Sequence, residues 1–224
     1  MDLSFYKTYF EFEKYHWWFK ARRNIVLQLL EKYKVSKQSK IFDFGCGSGS
    51  FVGYLQSLGY NVSGSDISEE AILFGKSKGV QNLQVAKKED GLPVKDESLD
   101  TVLALDVIEH IKDDRAVISS IEKALNSGGM AIITVPAYSF LWGVQDEVAH
   151  HYRRYNMTEL IRLVKQSSSF KVVNSSYFNM LLFPAIVAIR LSSKIFKLEK
   201  RQSDFDINNK FLNNIFFFIF NLES

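Results

Sequence analysis

The chain sets short apolar runs between segments whose apolar residues recur every three to four positions. Residues 41–44 (Ile-Phe-Asp-Phe) read as a strand, and Phe51, Val52 and Leu55 open a helical pattern directly after it. Residues 60–66 read as a second strand, 100–105 as a fourth, 130–135 as a fifth and 171–177 as a sixth. Ser127-Gly128-Gly129 marks the end of a helix before the fifth strand, and Pro136 stops that strand. Strands separated by helical patterns predict an α/β chain built on one sheet. Two later blocks, residues 177–189 and 211–220, are almost wholly apolar. Each is shorter than the ~20 residues that span a bilayer as a helix. They read either as helices packed on the domain or as a hydrophobic platform for a membrane or a lipid substrate.

Candidate chemistry enters between the first strand and its helix, at Asp43-Phe44-Gly45-Cys46-Gly47-Ser48-Gly49. A strand, a glycine turn and a helix bring backbone N–H groups and a helix N-terminus to a ligand. A dinucleotide fingerprint would need a further glycine at position 50, which is Ser50. The D-x-G-x-G-x-G spacing suits a cationic amino-acid moiety better, because a carboxylate beside two phosphates would repel them. Asp43, Gly45, Cys46, Gly47 and Gly49 are therefore candidate ligand contacts. Asp66 ends the second strand, where a carboxylate can accept hydrogen bonds from both ribose hydroxyls, with Ile67 against a base. Ser68, Glu69 and Glu70 also read as a helix cap with acids in its first turn. Residues 105–110 fall at the carboxyl end of the fourth strand and should line the site.

These features resemble the class I S-adenosylmethionine-dependent methyltransferases. Residues 90–100 resemble the "LPF-x-D-x-S-F-D" stretch of that superfamily, which implies an acid near the adenine amino group; Glu89 is the expected counterpart. The resemblance adds Leu105 and Asp106 to the cofactor contacts, with S-adenosylmethionine as cofactor and S-adenosylhomocysteine as product. A narrower resemblance rests on residues 15–23, which contain His-Trp-Trp-Phe and Arg22, and on residues 146–155, which run from Asp146 to Arg153-Arg154-Tyr155. Both look like a bacterial and archaeal methyltransferase group often encoded among cell-envelope genes. The likeness covers residues 9–223. It implies a doubly wound, Rossmann-like sheet of seven strands, the seventh antiparallel between the fifth and sixth. Nothing after Leu222 reads as that seventh strand, so a shortened C-terminus, an unpaired sheet edge and a homodimer are expected. The division expected is an N-terminal helical lid (1–38), a cofactor domain (39–178) and apolar C-terminal helices (179–224).

The expected reaction is methyl transfer to a small-molecule or lipid-linked acceptor, with an NAD-dependent oxidoreductase or a non-catalytic cofactor-binding subunit as alternatives. His110 and His151 are the candidate bases, since histidine titrates near neutrality. Trp17 and Trp18 read as helix packing or as a lid over cofactor and substrate. Arg153 and Arg154, interleaved with Tyr152 and Tyr155, read as a solvated patch or as a substrate loop that binds a phosphate or carboxylate. Asp106, Glu109 and His110 stand at i, i+3 and i+4. They resemble the E-x-x-E-H metal motif of ubiquinone-pathway O-methyltransferases, with His150 or His151 as a further ligand; the other reading is a pocket wall, and no metal is expected. Cys46 is the sole cysteine, which excludes an internal disulfide, and it reads as a small loop residue. The net charge of +3 gives no case for nucleic acid, although the first 40 residues hold nine Lys/Arg against four Asp/Glu. No signal peptide is legible, and a cytoplasmic or membrane-peripheral enzyme is expected.

Overall fold

The computed structural model describes residue 10 and residues 12–87, 91–196 and 210–223. Its elements are α1 (Trp17–Lys32), β1 (Ile41–Phe44), α2 (Ser50–Ser57), β2 (Val62–Asp66), α3 (Glu69–Ser77), β3 (Leu83–Val85) and β4 (Leu99–Leu105). A 3-10 turn (Ile108–His110), α4 (Asp114–Ala124), β5 (Leu125–Thr134), a second 3-10 turn (Ser139–Leu141), α5 (Val144–Val148) and α6 (Met157–Ser167) follow. The apolar helices α7 (Phe183–Phe196) and α8 (Lys210–Asn221) come last.

Alternation along the strands explains the layers. In β4, Val102 and Ala104 join one core with Phe42, Phe44, Val117, Ile118 and Ile121, while Leu103 and Leu105 join the other with Val26, Leu30, Val52, Leu55 and Ile72. The five strands are all parallel, in the order β3-β2-β1-β4-β5. Buried parallel strands need apolar residues on both faces, which is why Ile41 to Phe44 is buried throughout. The exception is Asp43, a buried carboxylate. The strand order reverses between β1 and β4, so the ligand crevice of an open α/β sheet should lie beyond those two carboxyl ends.

Two expectations change. Residues 171–177 form no strand and are mostly exposed. A sixth strand in the expected topology pairs only with a seventh, and no described residue forms one, so this segment has no edge to join. The fifth strand starts earlier than expected, and its register with β4 breaks between Leu99 and Thr101, around the Gly128 turn. Residues 183–189 of the first C-terminal block and 211–220 of the second are helical, which is compatible with both readings. No helix among the described residues is long and apolar enough to cross a membrane.

Candidate active site

Beyond β1 and β4 opens a cleft of about 2170 Å³. The glycine loop forms its floor. Gly45 and Cys46 donate backbone N–H groups to the Ser65 carbonyl at 2.8 and 2.9 Å, which ties the loop to β2. Gly45 has φ +74°, and a Cβ there would meet Val107 at 2.2 Å. Gly47 has φ +55°, and a Cβ there would stand in open space, so its bare backbone faces the cleft. Gly75, which sequence reasoning passed over, lets α3 reach the loop: a Cβ would sit 2.1 Å from the Ser48 carbonyl oxygen.

Asp66 lies at the tip of β2. One carboxylate oxygen accepts the Gly47 N–H at 2.8 Å and the other the Ser68 N–H at 2.9 Å. Burial pushes its pKa up, against those same hydrogen bonds. Ile67 beside it is 54% exposed and lines the cleft. Ser68 also caps α3 by accepting the Ala71 N–H, so the helix-cap reading of this stretch holds. Asp43 does not line the cleft. It lies one layer beneath, where burial raises its pKa to about 7, Arg22 opposing and Glu13 and Asp66 adding to the shift. Cys46 and Gly49 lie with it behind the lining, and Cys46 packs where a Cβ on Gly64 would stand. Glu89 lies outside the described residues.

The side wall comes from α1. Arg22 forms an ion pair with Asp106 and stacks its guanidinium 4.7 Å from the Trp18 ring. Trp18 and Arg22 stand at i and i+4, so one helix face presents both to the cleft. That spacing was legible in the sequence, although it did not single Arg22 out. Trp17 turns toward α8, with ring centroids 5.5 Å from Phe216 and 5.9 Å from Phe220. Both tryptophans line the cleft, and Trp17 also packs on α8. Glu13 hydrogen-bonds Ser50 and faces Arg22 and Arg23; burial raises its pKa against these partners.

The far wall carries the histidines. The His110 and His151 rings meet edge-on with centroids 4.4 Å apart, and both line the cleft. Burial, and then the nearby His151, lowers the His110 pKa to about 4. Glu109 between them is completely buried, and burial with the Asp106 charge pushes its pKa well up. His151 Nδ1 lies 2.8 Å from Asp146 Oδ1. Asp146 is also completely buried and takes a two-pronged hydrogen bond from Arg154, Nε to Oδ1 at 2.7 Å and Nη2 to Oδ2 at 2.9 Å. Burial alone would raise the Asp146 pKa, but His151, Arg154 and the Gly143 N–H together hold it well below the carboxylate range.

The basic loop keeps its arginines paired. Arg154 and Tyr155 line the cleft, and Arg154 gives its guanidinium to Asp146 and to the Ala137 carbonyl at 3.0 Å. Arg153 pairs with Asp114 at 2.7 Å, donates to the Lys112 carbonyl and does not line the cleft. Tyr155 is buried, and its hydroxyl donates to Asp114 at 2.9 Å. Asp114 lies far back along the chain from these partners, so nothing local in the sequence announced the pairing.

Residues 42–133 match a family model described as a methyltransferase domain. The chain is 25% identical over 108 residues to a ubiquinone biosynthesis O-methyltransferase of Hydrogenovibrio crunogenus, covering 46% of this chain and 45% of that protein. It is 24% identical over 145 residues to a malonyl-[acyl-carrier protein] O-methyltransferase of Hamiltonella defensa, covering 62% and 56%. The chain thus spans about half the length of these curated relatives. A putative sarcosine dimethylglycine methyltransferase from Galdieria sulphuraria shares the fold, with a TM-score of 0.60 over 90% of this chain and 79% of that one, at 17% identity. Methyltransferase domains take S-adenosylmethionine, and the residues present fit it. Gly47 leaves room for close approach, backbone N–H groups fix the Asp66 carboxylate at the cleft, and Ile67 offers an exposed apolar face.

Proposed function

We propose that this chain is an S-adenosylmethionine-dependent methyltransferase acting on a small or lipid-linked metabolite. The observation that carries the reading is Asp66 at the tip of β2, next to the sheet's switch point, joined to the Gly47 N–H and flanked by exposed Ile67. When bound, the nucleoside supplies a methyl group on a sulfonium whose departure as a neutral thioether needs no acid. In this reading Asp66 holds the ribose, Ile67 the adenine and the Gly45–Gly47 bend the amino-acid end. Arg22 faces the carboxylate of that end, and Asp43 lies beneath the bend. Trp18 closes the cleft from α1 and helps exclude water. His110 and His151 stand where the acceptor's proton must leave. An acceptor with an apolar tail is supported by the cleft's outer wall, which includes Tyr138, Phe183, Ile186 and Ile189.

Calorimetry with S-adenosylmethionine, S-adenosylhomocysteine and NAD tests the reading. The first two should bind and NAD should not. Asp66→Ala should weaken binding by about 1–3 kcal/mol through lost charged hydrogen bonds. Transfer of a labelled methyl group to an extract fraction should accompany binding. Binding of NAD alone would overturn the proposal, and binding without any label transfer would leave an inert cofactor-binding subunit.

A further inference from the structure

The amino-acid end of S-adenosylmethionine carries an ammonium as well as a carboxylate. Asp43 does not face that ammonium, because it lies behind the cleft lining, and burial raises its pKa to about 7. Asp66 and Asp106 do line the cleft. Asp66 is held by the Gly47 and Ser68 N–H groups at the ribose end, and Asp106 is paired with Arg22. Glu13 lines the cleft as well.

Two observations place Glu13 at the glycine loop. Its carboxylate accepts a hydrogen bond from the side chain of Ser50, the first residue of α2 and the neighbour of Gly49. After burial, its charge also adds to the upward pKa shifts of Asp43 and Cys46, at the end of β1 and in the bend that follows. The backbone that carries it is fixed. Residues 12–15 are helical, the His16 N–H donates to the Phe12 carbonyl at 2.8 Å, and the buried His16 ring accepts the Trp18 N–H to cap α1. Glu13 and Arg22 therefore reach the cleft from one continuous stretch of chain, one acidic and one basic.

The positive charge near Glu13 is committed elsewhere. Arg22 and Arg23 face it, but Arg22 pairs with Asp106 and stacks on Trp18, and Arg23 lies 4.6 Å from the Tyr54 ring and donates to the Lys14 carbonyl at 3.4 Å. Burial outweighs both arginines and Ser50 and raises the Glu13 pKa, so a further cation beside it would be stabilising. We propose that Glu13 is the counter-charge for the ammonium of the cofactor's amino-acid end, and that it selects nucleosides bearing that amino group over those without it. A hydrogen bond between an ammonium and a carboxylate is among the stronger contacts a ligand can make. With Arg22 on the carboxylate, each charge of the zwitterion meets its opposite. The choice of ligand rests on the methyltransferase reading; the part played by Glu13 is tested apart from it.

Calorimetry on the full chain should compare S-adenosylmethionine, S-adenosylhomocysteine, decarboxylated S-adenosylmethionine and methylthioadenosine. The first three carry the amino group, the third lacks the carboxylate, and the last lacks both. Glu13→Gln should weaken the first three by roughly 10- to 100-fold and leave methylthioadenosine unchanged, which also reports that the variant is folded. Asp66→Ala should weaken all of them. Ser50→Ala removes the anchoring hydrogen bond and keeps the charge; it should shift the same three ligands by less, and it supplies the comparison should Glu13→Gln not fold. Unchanged affinity for the first three overturns the inference. So does an equal loss for every ligand, which would make Glu13 a brace for the loop, and so does a loss that spares the decarboxylated compound, which would mean that Glu13 acts through Arg22. If the wild-type chain binds S-adenosylmethionine and the variants lack this pattern, this inference alone falls; if it binds none of the compounds, the methyltransferase reading falls with it.

Discussion

A carboxylate raised to about 7 inside a parallel sheet ties the stability of the fold to the titration of Asp43. An unfolded aspartate titrates near 3.9. Between about pH 4 and 7 the folded chain therefore holds a proton that the unfolded chain has released. The stability this contributes is complete below the lower value and is lost as pH rises through the upper one, by at most about 1.4 kcal/mol per pH unit. Urea unfolding at a series of pH values should show the wild-type chain losing stability across that window relative to Asp43→Asn, which has nothing to titrate there. Parallel curves for the two chains would mean that Asp43 is ionised throughout and that Arg22 outweighs its burial.

At the scale of elements, α8 is joined to the start of α1 by one polar side chain. Asn213 is buried, accepts the Trp17 N–H at 2.8 Å and donates to the Tyr15 carbonyl at 3.0 Å, with Trp17 packed on Phe216 and Phe220 around it. Asn213→Ala removes both bonds and leaves a buried N–H and carbonyl unsatisfied, at a cost of about 1–3 kcal/mol each. Hydrogen exchange should quicken at residues 15–18 and along α8 while β1 and β4 stay protected; uniform exchange in all four would show that the contact carries no load. This pairing also marks where sequence reading ends. The glycine loop, Asp66 and the strand-helix alternation were legible because φ, close approach and period are imposed by neighbours a few residues away. Asn213 sat in an apolar block, and the fates of Arg154 and Tyr155 depend on Asp146 and Asp114, so their roles were set by tertiary partners. Residues 171–177 had the composition of a strand and lacked only an edge to pair with, which no local pattern reports.

At the scale of the whole molecule, α8 has two faces. One packs on α1, and the other presents Ile215, Phe218 at 66% and Leu222 at 62% exposure, spaced as one helical stripe. Met180 and Leu181 extend it, their N–H groups held at 2.7 Å by the Glu223 carboxylate. Helix α8 contains no acid, and Lys20 of α1 lies 4.2 Å from the Phe217 ring, so a positive charge stands beside this face while the Glu223 carboxylate is taken up by the Met180 and Leu181 N–H groups. That combination suits the surface of an anionic bilayer, where apolar side chains enter the interface and lysines meet headgroups. It would also put the cleft's apolar wall within reach of a lipid-linked acceptor. The full chain should co-sediment with phosphatidylglycerol vesicles more than with phosphatidylcholine vesicles, and added salt should narrow the difference. A leucine or phenylalanine contributes about 1.5–3 kcal/mol on full burial, so Phe218→Ser with Leu222→Ser should cut partitioning by at least roughly tenfold. S-adenosylmethionine affinity should not change, because neither residue reaches the cleft. Partitioning that ignores both the substitutions and the lipid charge would take the membrane away from this face and leave the acceptor a soluble metabolite.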